Sequence, residues 1–537
     1  MQNKLRSRKS IFIAALGIFV LATLLTLGFV VYSFSHVPEL FKLNKECQEQ
    51  GYYMGEFEFK ALGIVRWIDN GQYIKATTVL NNLHKQLKNK EGLIKLPDFE
   101  NKEQELDFYL SLQNPKTGAF MDNAYPFCEY TGPTGNILNH LDELAENTGQ
   151  QLKLKYPLKY LDRINTPEKM KSYLDDISTV GWLGSKFPQT TFHNARDILS
   201  LYYEDNVVEK YGLYNMPPET KKALLEWFYQ FQDAETGLWG PKDSNGKLIK
   251  KDTMNTASII KAFVDNNGND IHKDFPLRYR DKLAESFLNS IKPIPNDDKL
   301  DQWHEWNLDT SKSIRTLTRY LWKGLSEESK LKTKAMIEKH IRIMFQKFYI
   351  SEEGAFGYYP GAKNATIDGT GFINNFKDYG YCSEEKQIEL WGGAEKTITD
   401  KNEFNVLSFS ESDFNMNLDG INSIRFYAID PETESGIDDV LGVFYPQKSD
   451  IPDAMELIPR MQNWVDNTPQ TMGNWVSKEA IREILLETRI KSVPVLRQEL
   501  PAKELNISLQ ENKKLILIGF DILQIPRFKI TYNFVQE

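Results

Sequence analysis

Cysteine is nearly absent from this chain: Cys47, Cys128 and Cys382 are three in 537 residues. No two have metal-ligand spacing, and three cannot staple a chain of this length, which excludes a zinc ribbon and a disulfide scaffold. One disulfide stays open, and spacing does not choose the pair. Phosphate-cradling glycine loops, the nucleophile elbow of serine hydrolases and the zinc-protease helix are also missing, so neither a cofactor nor a metal is expected. No arginine-rich stripe lies beyond the N-terminus, which argues against a nucleic-acid partner. The net charge of −9 is spread over both signs. Histidine is scarce as well, at 7 residues, so each one stands out.

What is present is ordinary globular matter, 41% hydrophobic and 26% charged, enough for a large core. Aromatic residues reach 12%, with 10 Trp and 25 Tyr, which suits a large helical core or a lined cavity equally well. Long apolar runs are limited to one. Ile11 to Phe34 carries no charge, and Lys4, Arg6, Arg8 and Lys9 precede it. Such a run spans ~30 Å of hydrocarbon, and the basic flank places the N-terminus in the cytoplasm. The expectation is a single-pass signal anchor at 11–35 after a cytoplasmic tail at 1–10, with the bulk outside the cell membrane. A cleaved signal peptide is the competing reading.

A repeat carries the architecture. Gln113-Asn114-Pro115-Lys116-Thr117-Gly118-Ala119-Phe120 is echoed by Gln232-Asp233-Ala234-Glu235-Thr236-Gly237-Leu238-Trp239, and more faintly by Ile350-Ser351-Glu352-Glu353-Gly354-Ala355-Phe356. The step is 119 residues from Gly118 to Gly237 and 117 from Gly237 to Gly354. A second pair, Asn307 to Arg315 and Asn417 to Arg425, repeats at a step of 110. Fixed-period repetition means one supersecondary unit copied and stacked. Helices preceded by capping residues are expected near Thr134, Thr191, Asp252, Asp309, Asp368 and Asp419, at intervals of 57, 61, 57, 59 and 51 residues. Six helical hairpins closing on themselves make an all-α (α/α)6 toroid over 36–490, with an open solenoid as the alternative. After Pro494 the pattern changes. Phe528 to Phe534 alternates with period two, so 491–537 is expected to be a β or α/β appendage, with strand input from 404–446.

The second Gly-turn hairpin, with Lys222-Ala223, Trp227-Phe228, Gln232, Gly237 and Trp239, resembles the QW motif of squalene and hopene cyclases. Prenyltransferases and related α/α toroids share that barrel. In that family the motif is structural: the Gln caps a neighbouring helix end and the aromatic packs across the turn. Phe228 departs from the usual aliphatic residue. The first hairpin keeps Gln113, Gly118 and Phe120, and the third keeps Gly354 and Phe356. The acidic protonation motif of the cyclases, the zinc ligands of the prenyltransferases and the thioester run of complement domains are all absent. The resemblance implies a fold, not a chemistry.

In such a barrel the functional residues would sit at the N-terminal ends of inner helices. His193, Asp309 and Asp368 are the catalytic candidates, as the acid, base or proton relay of a glycoside hydrolase or polysaccharide lyase. Arg196, Trp239, Trp303, His304, Glu305 and Asn255 are the substrate-binding candidates. Capping alone explains Asp252, Asp309, Asp368 and Asp419, since an Asp ahead of a helix stabilises it by ~1 kcal/mol. His193 breaks the repeat and is the better functional candidate. The leading expectation is a surface protein that binds or cleaves a glycan, an acidic one if helix N-termini line the mouth. A non-catalytic scaffold for a protein or peptide, and cyclase-like lipid chemistry, are the alternatives.

Overall fold

The computed structural model describes residues 37–55, 57–120, 133–187, 190–203, 205–381, 383–392, 397–400, 407–409, 417–429, 440–447, 449–469, 476–488, 497–498, 505–507 and 514–532. They fall into two compact units. The first comprises residues up to Ala234 with Leu238–Phe263 and Lys273–Arg278; the second comprises Glu235–Gly237, Val264–His272 and everything from Tyr279 on.

The first unit is helical. Helices α1 (Val37–Glu49), α2 (Phe57–Asp69) and α3 (Tyr73–Asn89) pack together. On α3, Ala76, Leu80, Leu83 and Leu87 form one buried stripe, the spacing an amphipathic helix needs. Next come α4 (Lys102–Ser111), α5 (Pro133–Thr148), α6 (Pro167–Ser178), α7 (Phe192–Ile198), α8 (Val207–Lys210), α9 (Pro218–Phe231) and α10 (Thr253–Ile259). Local signals start several of them. Thr166 accepts the Lys169 N–H ahead of Pro167 on α6, and Asp252 accepts the Asn255 N–H at 2.9 Å on α10. Stacked rings tie α9 to α7: Trp227 lies 4.2 Å from Phe231, which lies 5.8 Å from Phe192.

The second unit mixes helix and sheet. Its helices are α11 (Arg280–Asn289), α12 (Leu300–Arg315), α13 (Glu327–Ile343), α14 (Ile367–Thr370), α15 (Ile373–Phe376), α16 (Glu384–Trp391), α17 (Ala454–Asn467) and α18 (Lys478–Glu487). The sheet strands are β1 (Thr397–Asp400), β2 (Ser423–Ile429), β3 (Val440–Phe444), β4 (Arg497–Gln498), β5 (Lys514–Phe520) and β6 (Pro526–Tyr532), in the order β1-β6-β5-β2-β3-β4. The inner four pair antiparallel, and both edge strands, β1 and β4, pair parallel. Leu517 faces Phe426 on one side and Ile530 on the other, all three buried. A buried ion pair fastens the sheet to α17. Arg425 Nε donates to both carboxylate oxygens of Asp453, at 2.9 and 3.0 Å, and Asp453 Oδ1 also caps α17 through the Met455 N–H.

The repeat is visible as one recurring clasp. Gly118, Gly237 and Gly354 all take φ near +70°, a region costly for any residue with a Cβ. A Cβ on Gly118 would lie 2.0 Å from the Pro157 carbonyl oxygen; one on Gly354 would lie 2.8 Å from Arg460 Cβ. Two residues on, the aromatic N–H donates to a fully buried threonine hydroxyl: Phe120 to Thr134 at 3.1 Å, Trp239 to Thr256 at 2.9 Å, and Phe356 to Thr370 at 3.2 Å. The Thr256 and Thr370 hydroxyls donate back to the carbonyls of the same aromatic residues. Gln113 Nε2 donates to the Gly118 and Tyr156 carbonyls, and Gln232 Nε2 to that of Arg278.

The expected all-α toroid with an N-terminal transmembrane helix is corrected. A six-stranded sheet occupies much of the second unit and draws strands from 397 onward. Among the described residues no helix is long and apolar enough to cross a membrane, and Ile11–Phe34 lies outside them. The expected signal anchor, the attachment to a membrane and the outward-facing cell-membrane localisation all rested on that run, and no described helix supports them. Two expected helix starts also differ. Asp309 lies inside α12, and Asp419 lies in a turn before β2. The strings around them look alike, but Gly420 takes φ +79°, and beyond it Ser423–Ile429 is a strand in which Ile424, Arg425, Phe426, Tyr427 and Ala428 are all buried, as in a strand covered on both faces.

Candidate functional site

The first unit holds a small cleft lined by Leu62, Val65, Arg66, Asp69 and Asn70 from α2 and its end, by Thr179, Val180, Gly181 and Gly184, and by Thr190 and Thr191. Its volume is 20 Å³, room for roughly one water or one hydroxyl group.

The loop after α6 is pressed onto the C-terminal end of α2. The Asp69 carboxylate accepts the N–H groups of Leu183 at 2.9 Å and Gly184 at 2.8 Å. Only glycine fits against it: a Cβ on Gly181 would stand 2.4 Å from Asp69 Cγ, and one on Gly184 would stand 2.7 Å from Val180 Cγ1. Between these glycines Trp182 is turned outward, 75% exposed. One turn of 3-10 helix, Gly184–Lys186, follows. Lys186 Nζ lies over the Trp182 ring, 5.5 Å from its centroid.

Charges inside the cleft are largely matched. Buried Arg66 donates to the Asp176 backbone carbonyl at 2.7 Å and pairs with the Asp176 carboxylate. Asp69 is offset by its two backbone donors. Thr191 donates its hydroxyl to the Ile177 carbonyl at 2.7 Å. The hydroxyl of Thr190, only 4% exposed, has no hydrogen-bond partner among the described residues.

Of the sequence candidates, His193 and Arg196 stand on α7, directly after the cleft residues Thr190 and Thr191. His193 Nε2 lies 2.7 Å from the Arg196 guanidinium, which also binds Asp197, and the His193 ring packs 5.4 Å from Phe59. Asn255 spends its side-chain amide on Asp252, at 2.6 Å. Trp239 is fully buried, its indole N–H donating to the Phe228 carbonyl.

Asp309, Asp368, Trp303, His304 and Glu305 belong to the second unit, each with its own partners. Lys292 Nζ lies 3.4 Å from Glu305 and 3.6 Å from Asp309. Asp368 accepts the Val476 N–H at 3.1 Å. Trp303 is fully buried and donates to the Asn296 carbonyl. His304 stacks 4.9 Å from Tyr358, whose hydroxyl lies 3.2 Å from His304 Nε2. Burial first, then Tyr359 and Asp368, push the Tyr358 hydroxyl up to about 12.

Arg66, Asp69, Trp182, Lys186 and Thr190 were missed by sequence reasoning. The one signal available was Gly181-Trp182-Leu183-Gly184, an aromatic between two residues with no side chain. Among the described residues no cluster of His, Cys, Asp and Glu could hold a metal ion. Compared with known proteins, the chain matches no family model, no curated protein and no solved structure.

Proposed function

We propose that the chain binds a saccharide at the α2–α6 cleft and does not cleave it. The observation that carries this reading is Trp182, an indole 75% exposed and flanked by two cleft-lining glycines. A sugar ring lays its C–H face on such an indole, and one ring hydroxyl could enter the cleft to meet the unpartnered Thr190 hydroxyl. Cleavage would need a positioned acid and base. Here Asp69 is engaged with two backbone N–H groups, Asp176 with Arg66, and the His193 ring with Arg196.

The test is titration of the full chain with an oligosaccharide panel, read by tryptophan fluorescence, alongside an assay for newly released sugar ends. Binding is expected without release. Trp182→Ala should weaken it about tenfold to a hundredfold, the worth of burying a large apolar side chain. Unchanged binding in Trp182→Ala, or release of sugar ends above that of protein-free controls, refutes the reading.

A further inference from the structure

Resting on that reading, we infer that the saccharide carries a carboxylate, as a uronate does, and that Lys186 is the group that selects it. The turn that follows Trp182 sets the geometry. Ser185 N–H donates to the Gly181 carbonyl at 3.1 Å, and Lys186 N–H to the Leu183 carbonyl at 3.0 Å. This tight winding returns the chain so that Lys186, four positions on, projects to the same side as the indole. Its ammonium lies 5.5 Å from the ring centroid. A ligand stacking on the indole would meet that ammonium.

The charge balance supplies the second argument. Arg66 is matched by Asp176, Asp69 by two N–H donors, and Arg196 by Asp197. Lys186 is exposed and has no carboxylate within ion-pair reach among the described residues. It is therefore a cation held against an aromatic platform and paired with no carboxylate among the described residues. Uronic acids present both matching features in one residue: a C–H face for the indole and a carboxylate at the ring edge for the ammonium. A neutral sugar uses only the first.

The probes are a tetramer of galacturonate and its fully methyl-esterified form, titrated against the full chain and against Lys186→Gln and Trp182→Ala. At low salt the acid should bind the wild type about threefold to fivefold more tightly than the ester, the scale of an exposed ion pair. Lys186→Gln should erase that preference, and 1 M salt should erase it in the wild type. Trp182→Ala should weaken both probes. An acid-to-ester ratio that is the same in wild type and Lys186→Gln overturns the assignment of Lys186 while leaving saccharide binding intact. Binding of neither probe, or of both equally well to Trp182→Ala, overturns the saccharide reading and this inference with it.

Discussion

His340 offers a direct test of the second unit's core. Its ring is fully buried, with Nε2 2.7 Å from Asn307 Oδ1 and Nδ1 2.9 Å from the Tyr379 hydroxyl. An amide oxygen only accepts, so Nε2 carries the proton, and Nδ1 accepts from the phenol. Burial, helped by Asp378, holds that phenol protonated, well above its ordinary range. The imidazole is thus neutral, and burial lowers its pKa from 6.5 to about 3.

The unfolded chain takes up a proton on this histidine below pH 6.5, and the folded chain does not until near pH 3. Stability from the neutral ring is therefore complete above pH 6.5 and declines as the pH falls. One unmatched proton costs about 1.4 kcal/mol per pH unit, so the drop from pH 7 to pH 5 is about 2 kcal/mol from this residue. His340→Gln should lower stability at pH 7 by about 2–4 kcal/mol through lost hydrogen bonds and packing. It should also lose about 2 kcal/mol less than the wild type between pH 7 and pH 5. Urea unfolding at the two pH values, read through the fluorescence of Trp306, whose ring lies 5.5 Å from His340, measures both. Parallel pH dependence in the two proteins would refute the argument, whatever the offset between them.

Other outcomes follow from features already described. Asp453→Ala leaves buried Arg425 without its carboxylate and should cost about 3–5 kcal/mol in chemical denaturation. Gly118→Ala forces a Cβ into both a positive φ and the Pro157 carbonyl, and should lower stability by more than about 2 kcal/mol. Asp69→Ala removes the acceptor for two N–H groups, so amide exchange at Leu183 and Gly184 should speed up by about tenfold or more while distant amides are unchanged.

The repeat was legible because its elements are local and chemically singular. A left-handed turn favours glycine strongly, and each threonine clasp closes within 14 to 17 residues of the aromatic it holds. Capping aspartates are a weaker signal, because the same residue serves at a helix start, inside an exposed face or in a turn. Asp252 caps α10; Asp309 sits along α12 near Lys292; Asp419 folds into an Asn417 turn. The cleft was the least legible part. Asp69 and Leu183 are 114 residues apart, and no local pattern announces that they meet.

The three glycine turns carry an engineering lesson. Each lies flush against backbone or side-chain atoms much later in the chain: Gly118 against Pro157, Gly237 against Leu283, Gly354 against Arg460. A truncation soon after one of these turns would strip away the segment that covers it. Shortened versions of this protein should therefore run past residues 158, 283 or 460 rather than stop at the loops where the repeat visibly begins anew.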